Sequence, residues 1–386
     1  MYQFNYNNPT EVYFGSGRVK EIAQILKRFG KRTLIVTGRR HSQESGLIKR
    51  IEVLCRESEI FTRTISGVNP NPTVEWVKDI VATLSKGNID SIVAVGGGSV
   101  MDAAKLISLA LTHNGNIWEY RVTGSFSVSG ITEKLIPVIT IPTIAGTGSE
   151  ISPAALITGA NRKEVYFSPH MYPAVAIVDP ELALTAPRKE TAQTGMDAFV
   201  QALEAFVSPN SQPFSDLFAQ RAMEIVYTTL PRLLSDLKNV EYRTEMALAS
   251  MLSCYAIGQA GVGAVHALSD PLSGRHDVPH GLAVSILLPS VMKANMAKAP
   301  LKYVKLAEVL HRFEGKIGDT CTCADAVRQA KDLVTRVGFS EVRLSDFGIK
   351  RSEFVEFVKE TDNPDMSTNP TKLTAQDIAA IYESVL

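Results

Sequence analysis

Apolar positions follow two different patterns along this chain. In the first half, short runs of consecutive apolar and β-branched residues alternate with longer segments in which apolar residues recur at helical spacing. A continuous apolar run is typical of a strand buried on both faces, so this alternation predicts a parallel sheet with helices on both sides. The predicted strands cover 33–37, 59–65, 91–95 and 136–141, and the predicted helices cover 45–56, 73–85 and 100–112.

The second half shows only the helical pattern. From about residue 187, apolar residues recur three and four positions apart and strand signals nearly disappear. The predicted helices there cover 191–207, 215–234, 240–255, 282–297, 303–311, 323–337 and 373–386. We therefore predict two domains, an α/β domain over 1–185 and an all-helical domain over 186–386.

Composition narrows the function classes. The 386 residues include 40 Lys and Arg against 40 Asp and Glu, so the net charge is zero and neither nucleic acid nor an anionic membrane is expected as a partner. The chain has no basic N-terminal segment followed by an apolar stretch, and no run of about eighteen apolar residues. The four cysteines fit neither a disulfide framework nor a zinc ribbon. These features predict a cytoplasmic protein.

Two glycine-rich loops follow predicted strands. The first, Gly-Gly-Gly-Ser at 96–99, lies between a strand and a helix, where glycines permit close approach of a ligand and helix-start amides favour pyrophosphate. The second, at 142–150, combines glycines with hydroxyl side chains. Parallel sheets bind ligands at the carboxyl ends of their strands, so the two loops together predict a nucleotide site. Glycine-rich turns with a purely steric role are the alternative, since the usual Gly-x-Gly-x-x-Gly fingerprint is absent.

Three of the seven histidines fall within residues 266–280. Imidazole beside carboxylate is a common ligand set for divalent transition metals. His266 and Asp270 are four residues apart and share a face on a helix, and a turn at Pro279 brings His280 back toward them. We interpret the segment as part of a metal site, with a solvated histidine-rich loop as the alternative.

A second pair of polar residues opens the predicted helical domain. Asp197 and Gln201 are four residues apart on an otherwise apolar helix. A buried carboxylate needs a partner, which a helix cap or an ion pair would also supply. Beside His266 and His280, the pair becomes a candidate ligand set.

In this order along the chain, the motifs resemble the iron-containing (group III) alcohol dehydrogenase family. The similarity covers nearly the whole chain and weakens after about residue 300. It implies a dehydroquinate synthase-like architecture, with a Rossmann-like α/β dinucleotide-binding domain before an all-helical domain, and hydride transfer between a nicotinamide cofactor and an alcohol or aldehyde. The matching residues are 96–99 with Asp102 and Lys105, 142–143 with 146–150, 179–180, 195–198, 204–205, His266 and 279–281.

The resemblance also implies a metal held by one Asp and three His. The family's Asp falls on Asp197, two of its His on His266 and His280, and the third on Gln201. A neutral amide oxygen is a harder ligand than imidazole, so we expect Fe²⁺ or Zn²⁺ to be bound weakly. A further family His on the substrate side falls on Asp270, which we expect either to transfer protons or to join the metal shell. The predicted catalytic residues are Asp270, His266 and His280.

The end of the first predicted strand bears on the choice of cofactor. Many relatives carry an Asp there that would bind the ribose of NAD, whereas this chain has Gly38 followed by Arg39 and Arg40. The missing carboxylate and the guanidinium groups favour a 2′-phosphate, so we predict NADP(H) over NAD(H), with ordinary solvated arginines as the alternative. The other predicted cofactor-binding residues are Gly97, Gly98, Ser99, Asp102, Thr143, Thr147, Lys163 and Leu182.

The sequence thus predicts an NAD(P)-dependent, metal-dependent oxidoreductase that interconverts an alcohol and an aldehyde or ketone. The alternatives are a metal-independent reductase similar to maleylacetate reductases, a lyase similar to dehydroquinate synthase, and a binding protein without activity. Arg275 and His276 indicate either an anionic substrate or charges at the rim of the site. An edge strand near 11–14 predicts a homo-oligomer, a dimer in the simplest case.

Overall fold

The computed structural model describes residues 3–39, 44–84, 89–113, 116–122, 130–159, 163–315, 320–361 and 363–386. They form two compact units. The first is Asn7–Ala186, and the second is Pro187–Leu386 together with the N-terminal residues through Tyr6. The chain passes from one unit to the other next to the predicted domain boundary.

A parallel sheet forms the centre of the first unit. The strands of this unit are β1 (Glu11–Phe14), β2 (Arg32–Gly38), β3 (Phe61–Val68), β4 (Ser91–Gly96), β5 (Val138–Pro142), β6 (Ala154–Thr158), β7 (Lys163–Phe167) and β8 (Val175–Val178). Six of them form one sheet in the order β1-β8-β5-β4-β2-β3, and every neighbouring pair is parallel. The predicted α/β class is confirmed.

Helices cover both faces of this sheet. They are α1 (Ile22–Leu26), α2 (Leu47–Glu57), α3 (Val74–Ala82) and α4 (Gly98–Thr112). Leu34 and Val36 of β2 belong to the hydrophobic cluster that contains α3 and α4, while Ile35 belongs to the cluster that contains α1 and α2. Because successive side chains of a strand point to opposite faces, burial on both sides explains the continuous apolar run.

Strands β6 and β7 were not predicted from the sequence. They pair in antiparallel fashion, from Ala154 opposite Phe167 to Thr158 opposite Lys163. Buried residues alternate with less buried ones along both strands, as in a hairpin with one covered face. Such short alternations give a weak signal in a sequence, because loops produce them too.

The second unit is helical, as predicted. Its helices are α5 (Arg188–Val207), α6 (Pro213–Ser235), α7 (Val240–Ala260), α8 (Ala264–His276), α9 (His280–Asn295), α10 (Pro300–His311), α11 (Cys323–Arg336), α12 (Phe354–Glu360) and α13 (Ala375–Glu383). Between 187 and 386, the described residues contain no strand. Short 3₁₀ turns connect several helices, and one of them, Pro364–Thr368, contacts α8.

The N-terminal residues correct one detail of the predicted domains. The sequence prediction assigned them to the α/β domain, but Phe4 and Tyr6 pack on aromatic side chains of the helical unit. The Tyr6 ring lies 4.7 Å from Phe214 and 6.3 Å from both Phe218 and Tyr255. No local sequence pattern predicts aromatic contacts between residues more than two hundred positions apart.

Within the part of the chain described above, no single helix is long and apolar enough to cross a membrane; α7 and α8, bent by 108° at their junction, meet the criterion together by length and composition alone.

Candidate functional site

Three of the predicted ligands come together in the helical unit. Asp197 lies on α5, His266 on α8 and His280 at the start of α9. One potential ligand atom from each lies within 4.8 Å of the others, and the described residues contain no other such group of His, Cys, Asp or Glu. Asp197 Oδ1 is 3.3 Å from His266 Nε2 and 3.6 Å from His280 Nε2. We call these three residues the acceptor cluster.

The local backbone places His280 in this cluster. Asp277 adopts a left-handed conformation with φ of 51° that ends α8, and α9 begins at His280 with Pro279 as its N-cap. A Cβ at Gly281 would lie 2.1 Å from the backbone oxygen of Gln193 on α5. Glycine after His280 therefore permits α9 to pack closely against the helix that carries Asp197.

Hydrogen bonds on the far side of each imidazole determine which nitrogen faces Asp197. Glu204 Oε2 lies 2.5 Å from His266 Nδ1, and because a carboxylate only accepts, Nδ1 donates. Ser269 Oγ donates to the His266 carbonyl at 2.8 Å, so it accepts from His280 Nδ1 at 3.2 Å. Both Nε2 atoms are therefore directed toward the carboxylate as electron-pair donors.

The surrounding charges favour a cation in this cluster. Burial lowers the pKa of His266, but the carboxylates of Glu204 and Asp197 more than offset this effect and hold the pKa well above its ordinary value. A proton on His266 Nε2 or a metal ion can satisfy the same demand for positive charge.

The acceptor cluster fits a divalent metal ion. It combines one carboxylate with two oriented imidazoles, a mixed oxygen and nitrogen set that suits Fe²⁺, Zn²⁺ or Mn²⁺. Three protein ligands leave a coordination position open, which is the pattern of a catalytic rather than a structural site.

Gln201 lies beside the cluster but turns its amide nitrogen toward it. Its Nε2 donates to Asp197 Oδ2 at 3.2 Å, and its Oε1 accepts from Ser253 Oγ at 2.9 Å. The predicted fourth ligand is thus a hydrogen-bond donor to the carboxylate in this structure. An amide has two chemically different ends, and the sequence does not say which end faces inward.

Asp270 lies outside the acceptor cluster, so the structure does not place it in the metal shell. Its Oδ2 accepts from Asn363 Nδ2 at 3.3 Å. Burial raises the pKa of Asp365 to about 7, and repulsion from the Asp270 carboxylate is the second cause of this shift. A pair of carboxyl groups, one of them partly protonated near neutral pH, therefore lies one helical turn beyond His266.

Arg275 and His276 are engaged elsewhere on the helical unit. Arg275 forms an ion pair with Glu360, and His276 Nε2 lies 2.8 Å from Glu353 Oε1. Both side chains therefore have acidic partners of their own within the helical unit.

The two glycine-rich loops lie side by side in the α/β unit. Gly97 caps α4, and the backbone nitrogen of Thr143 donates to Gly96 at 3.1 Å, which ties the end of β5 to the end of β4. A Cβ at Gly98 would lie 2.9 Å from Thr147 Cγ2. The loops therefore touch at a point where only glycine fits without displacement.

The first turn of α4 follows directly after the first glycine-rich loop. Ser99 is the second residue of the helix. The first amides of any helix lack acceptors within it and attract anions. The start of α4, at the end of β4, therefore offers backbone amides of the kind that bind anions.

The Asp102 carboxylate is hydrogen-bonded to groups within the α/β unit. Its carboxylate accepts from Ser149 Oγ at 2.5 Å and from the Leu156 backbone nitrogen at 3.0 Å, while Lys105 Nζ donates to Ser149 Oγ at 2.8 Å. Burial raises the pKa of Asp102. These bonds join α4 to the second loop and to β6, so Asp102 holds the loops in position rather than presenting a free carboxylate.

The other predicted cofactor residues are spread over the α/β unit. Gly38 ends β2 and is followed by the exposed Arg39, whereas Arg40 lies outside the described residues. Lys163 begins β7, and Leu182 lies in a 3₁₀ turn, packed on the core.

Residues missed in the sequence complete the environment of the cluster. Glu204 orients His266, Ser269 orients His280, and Ser253 contacts Gln201. Glu204 could have been found, because 197, 201 and 204 share one face of a helix. Ser253 could not, since it lies 52 positions from Gln201 on another helix.

A prediction concerns Glu204, which accepts from the Val265 backbone nitrogen at 2.6 Å and from His266 Nδ1 at 2.5 Å. Glu204→Gln replaces one of these acceptors by a donor, so His266 shifts its proton to Nε2 or loses its orientation. We expect metal affinity to fall by roughly 10–100-fold, as for other outer-shell changes.

Equilibrium dialysis against Zn²⁺ measures this effect. The exposed Glu190→Gln, on the same helix, is the matched control and should bind as the unaltered chain does. Equal affinities for the two variants would show that Glu204 does not orient the ligand.

Comparison with known proteins places the chain among dehydrogenases. Residues 9–180 match the family model described as iron-containing alcohol dehydrogenase, and residues 191–386 match that of the Fe-containing alcohol dehydrogenase family, C-terminal. The chain is 33% identical over 389 residues to a 1,3-propanediol dehydrogenase from Klebsiella pneumoniae, with 98% of each chain covered. It is 31% identical over 391 residues to an NAD-dependent methanol dehydrogenase from Bacillus methanolicus, covering 99% of this chain and 100% of that one.

A solved structure gives the same result. The crystal structure of a 1,3-propanediol oxidoreductase superposes with a TM-score of 0.92 at 30% sequence identity, covering 100% of both chains. Its agreement in fold extends over both the α/β and the helical parts of the chain.

Proposed function

Because this chain belongs to the iron-containing alcohol dehydrogenase family, we propose that it is a metal-dependent alcohol dehydrogenase that moves hydride between a nicotinamide dinucleotide and an alcohol or aldehyde. The observation that carries the proposal is the acceptor cluster, in which Asp197, His266 and His280 converge within 4.8 Å. Without a cation, their convergence would bring electron-pair donors together at a cost in free energy.

Asp197, His266 and His280 would hold the metal. When bound, a divalent ion polarises the substrate oxygen and stabilises the alkoxide, which can contribute several kcal/mol to lowering the barrier. Glu204 and Ser269 keep the two Nε2 atoms directed inward and so position the ligands without touching the substrate.

We assign proton transfer to Asp270. It lies one helical turn from His266, it is partly exposed, and Asn363 orients its carboxylate. Asp365 supports the assignment, because its pKa of about 7 allows it to hold a proton next to Asp270 near neutral pH.

Gly97, Gly98 and Ser99, with Thr143 and Thr147, would bind the dinucleotide at the ends of β4 and β5. The nicotinamide supplies the hydride acceptor or donor. Asp102 and Lys105 act indirectly, through the bonds that hold Ser149 and the second loop.

The cofactor is NAD(H) or NADP(H), and the strand end at Gly38 is where the two would be distinguished. The family and the NAD-dependent methanol dehydrogenase relative favour NAD(H), whereas the missing carboxylate at Gly38 and the exposed Arg39 favour NADP(H). We propose that this strand end accepts the 2′-phosphate.

Replacing Gly38 tests this proposal. A Cβ there meets Val100 Cγ2 and the Val68 carbonyl at 3.9 Å, so a side chain fits. We expect Gly38→Asp to weaken NADP(H) binding by about 1–3 kcal/mol, through repulsion and a lost charge-assisted contact. Gly38→Asn, uncharged and of similar shape, should have a much smaller effect. The measurement compares kcat/KM with NADPH and with NADH for wild type and both variants. A wild-type preference for NAD(H) would refute the 2′-phosphate proposal.

The alternatives are less favoured. A lyase that uses the dinucleotide only transiently would not consume it, and a metal-independent reductase has no need of two imidazoles directed at one carboxylate. The relatives from Klebsiella pneumoniae and Bacillus methanolicus, which match over nearly the whole chain, are named dehydrogenases.

The test is an assay with and without metal. Protein purified without chelators is analysed for bound metal, stripped, and reloaded anaerobically with Fe²⁺ or with Zn²⁺. We expect NAD(P)H consumption with an aldehyde panel only in the loaded protein. Full activity in the metal-free protein would favour the metal-independent reductase, and turnover without net cofactor oxidation would favour the lyase.

We further propose a homo-oligomer located in the cytoplasm. β1 is an edge strand of the six-stranded sheet and offers backbone groups along which a second copy can pair. Light scattering on the purified chain measures its mass, and a monomer would refute the assembly.

A further inference from the structure

The hydroxyl of Ser253 has two neighbours and only one proton to give. Ser253 Oγ lies 2.9 Å from Gln201 Oε1 and also 2.9 Å from the Ser250 carbonyl oxygen. Ser253 is fully buried on α7, and Gln201 is 5% exposed, so water does not readily replace either contact. A hydroxyl donates one hydrogen bond and accepts others, whereas a carbonyl oxygen only accepts.

Two arrangements satisfy this geometry with no change in heavy-atom positions. In the first, Ser253 donates to Gln201 Oε1, and Gln201 Nε2 donates to Asp197 Oδ2 at 3.2 Å. In the second, the Gln201 amide is rotated by a half turn, Nε2 donates to Ser253, and Ser253 gives its proton to Ser250. The amide oxygen then faces Asp197 and the acceptor cluster.

The charge in the cluster decides between the two arrangements. Without a metal, an amide oxygen beside the Asp197 carboxylate is repelled, so the N–H donor faces inward. With a divalent cation bound, an inward N–H is repelled, and an inward oxygen can serve as a fourth ligand in addition to Asp197, His266 and His280.

We propose that Gln201 is a conditional metal ligand, whose amide turns its oxygen inward when a cation binds and its nitrogen inward when the cation leaves, with Ser253 bonded to it in both states. The inference rests on the proposed function, since it assumes that the acceptor cluster binds metal. The hydrogen bond to Asp197 stabilises the metal-free state, so we expect metal to be held less firmly than by a third imidazole.

The proposal is tested through binding, with Zn²⁺ as a diamagnetic probe. Gln201→Leu keeps the approximate shape and removes both amide ends. We expect its Zn²⁺ dissociation constant, measured by competition with a chelating dye, to rise at least tenfold. Gln220→Leu, a partly exposed position on α6, is the matched control. Equal or tighter binding by Gln201→Leu would overturn the proposal, since Gln201 would then only compete with the metal for Asp197.

Two further measurements report on the rotation itself. In protein labelled with ¹⁵N glutamine, an NOE between the Gln201 amide protons and the Ser253 Hβ protons should appear only after Zn²⁺ is added. Ser253→Ala should lower the thermal midpoint of the loaded protein more than that of the metal-free protein, because the loaded state loses two buried hydrogen bonds of Ser253 and the metal-free state loses one. An NOE that is the same in both states, or a loss in the loaded protein no larger than that in the metal-free protein, would contradict a half turn.

The outcomes separate this inference from the proposed function. If wild-type protein binds Zn²⁺ and needs metal for turnover while Gln201→Leu binds as well as wild type, only the conditional ligand is refuted. If wild-type protein binds no metal, both are refuted.

Discussion

A protein in which His280 is replaced by alanine is expected to lose its metal and its turnover together. His280 Nε2 lies 3.6 Å from Asp197 Oδ1, and its other nitrogen is held by Ser269. Alanine leaves one carboxylate and one imidazole, which is too few ligands to retain Fe²⁺ or Zn²⁺ at a catalytic site. We expect metal affinity to fall by more than about 100-fold, because even outer-shell changes cost roughly 10–100-fold.

The measurement combines metal analysis with an assay of NAD(P)H consumption. His276→Ala is the matched control, because this neighbouring histidine pairs with Glu353 and lies outside the acceptor cluster. It should retain both metal and turnover to within about threefold, as expected for a pair near the surface. Activity in His280→Ala equal to that of His276→Ala would exclude the metal mechanism and leave the metal-independent reductase as the better interpretation.

Valine at position 98 is expected to abolish dinucleotide binding while the helical unit still binds metal. A Cβ at Gly98 would lie 2.9 Å from Thr147 Cγ2 and Oγ1, so the substitution pushes the two loops apart and fills the space that a pyrophosphate needs. Overpacking of this kind costs ~1–3 kcal/mol by itself. With the approach to the α4 amides also blocked, we expect the cofactor dissociation constant to rise by at least about 100-fold.

Fluorescence titration with NADH and NADPH measures that constant, and Zn²⁺ binding reports on the helical unit. Gly130→Val is the control in the same unit, because a Cβ there meets nothing within 4 Å. Unchanged cofactor affinity in Gly98→Val would remove this loop from the site.

The structure also shows additional contacts for two residues of the α/β unit that the sequence predicts to bind the cofactor. Asp102 belongs to the motif on which the family resemblance rests, yet its carboxylate is used by Ser149 and the Leu156 backbone. Gly98 was expected to make room for a ligand, and it also makes room for Thr147. Both residues therefore have contacts within the α/β unit in addition to the cofactor role that the sequence predicts.

The sequence alone determined the features that depend on local pattern. Continuous apolar runs such as that of β2 distinguish buried parallel strands from amphipathic helices, because a strand between two layers of helices buries both of its faces. The spacing of apolar residues likewise predicted α5, α6, α7 and α9, and with them the helix that presents Asp197 and the one that begins at His280.

Only the tertiary structure decided which partners those side chains have. Glu204 meets His266 across 62 positions of sequence, and Ser253 meets Gln201 across 52. The first contact fixes the acceptor nitrogen of His266, and the second holds the Gln201 amide beside Asp197. Hydrogen-bond direction depends on which donors and acceptors packing brings within about 3 Å. Periodicity specifies the face of an element, but it does not specify the neighbour that this face meets.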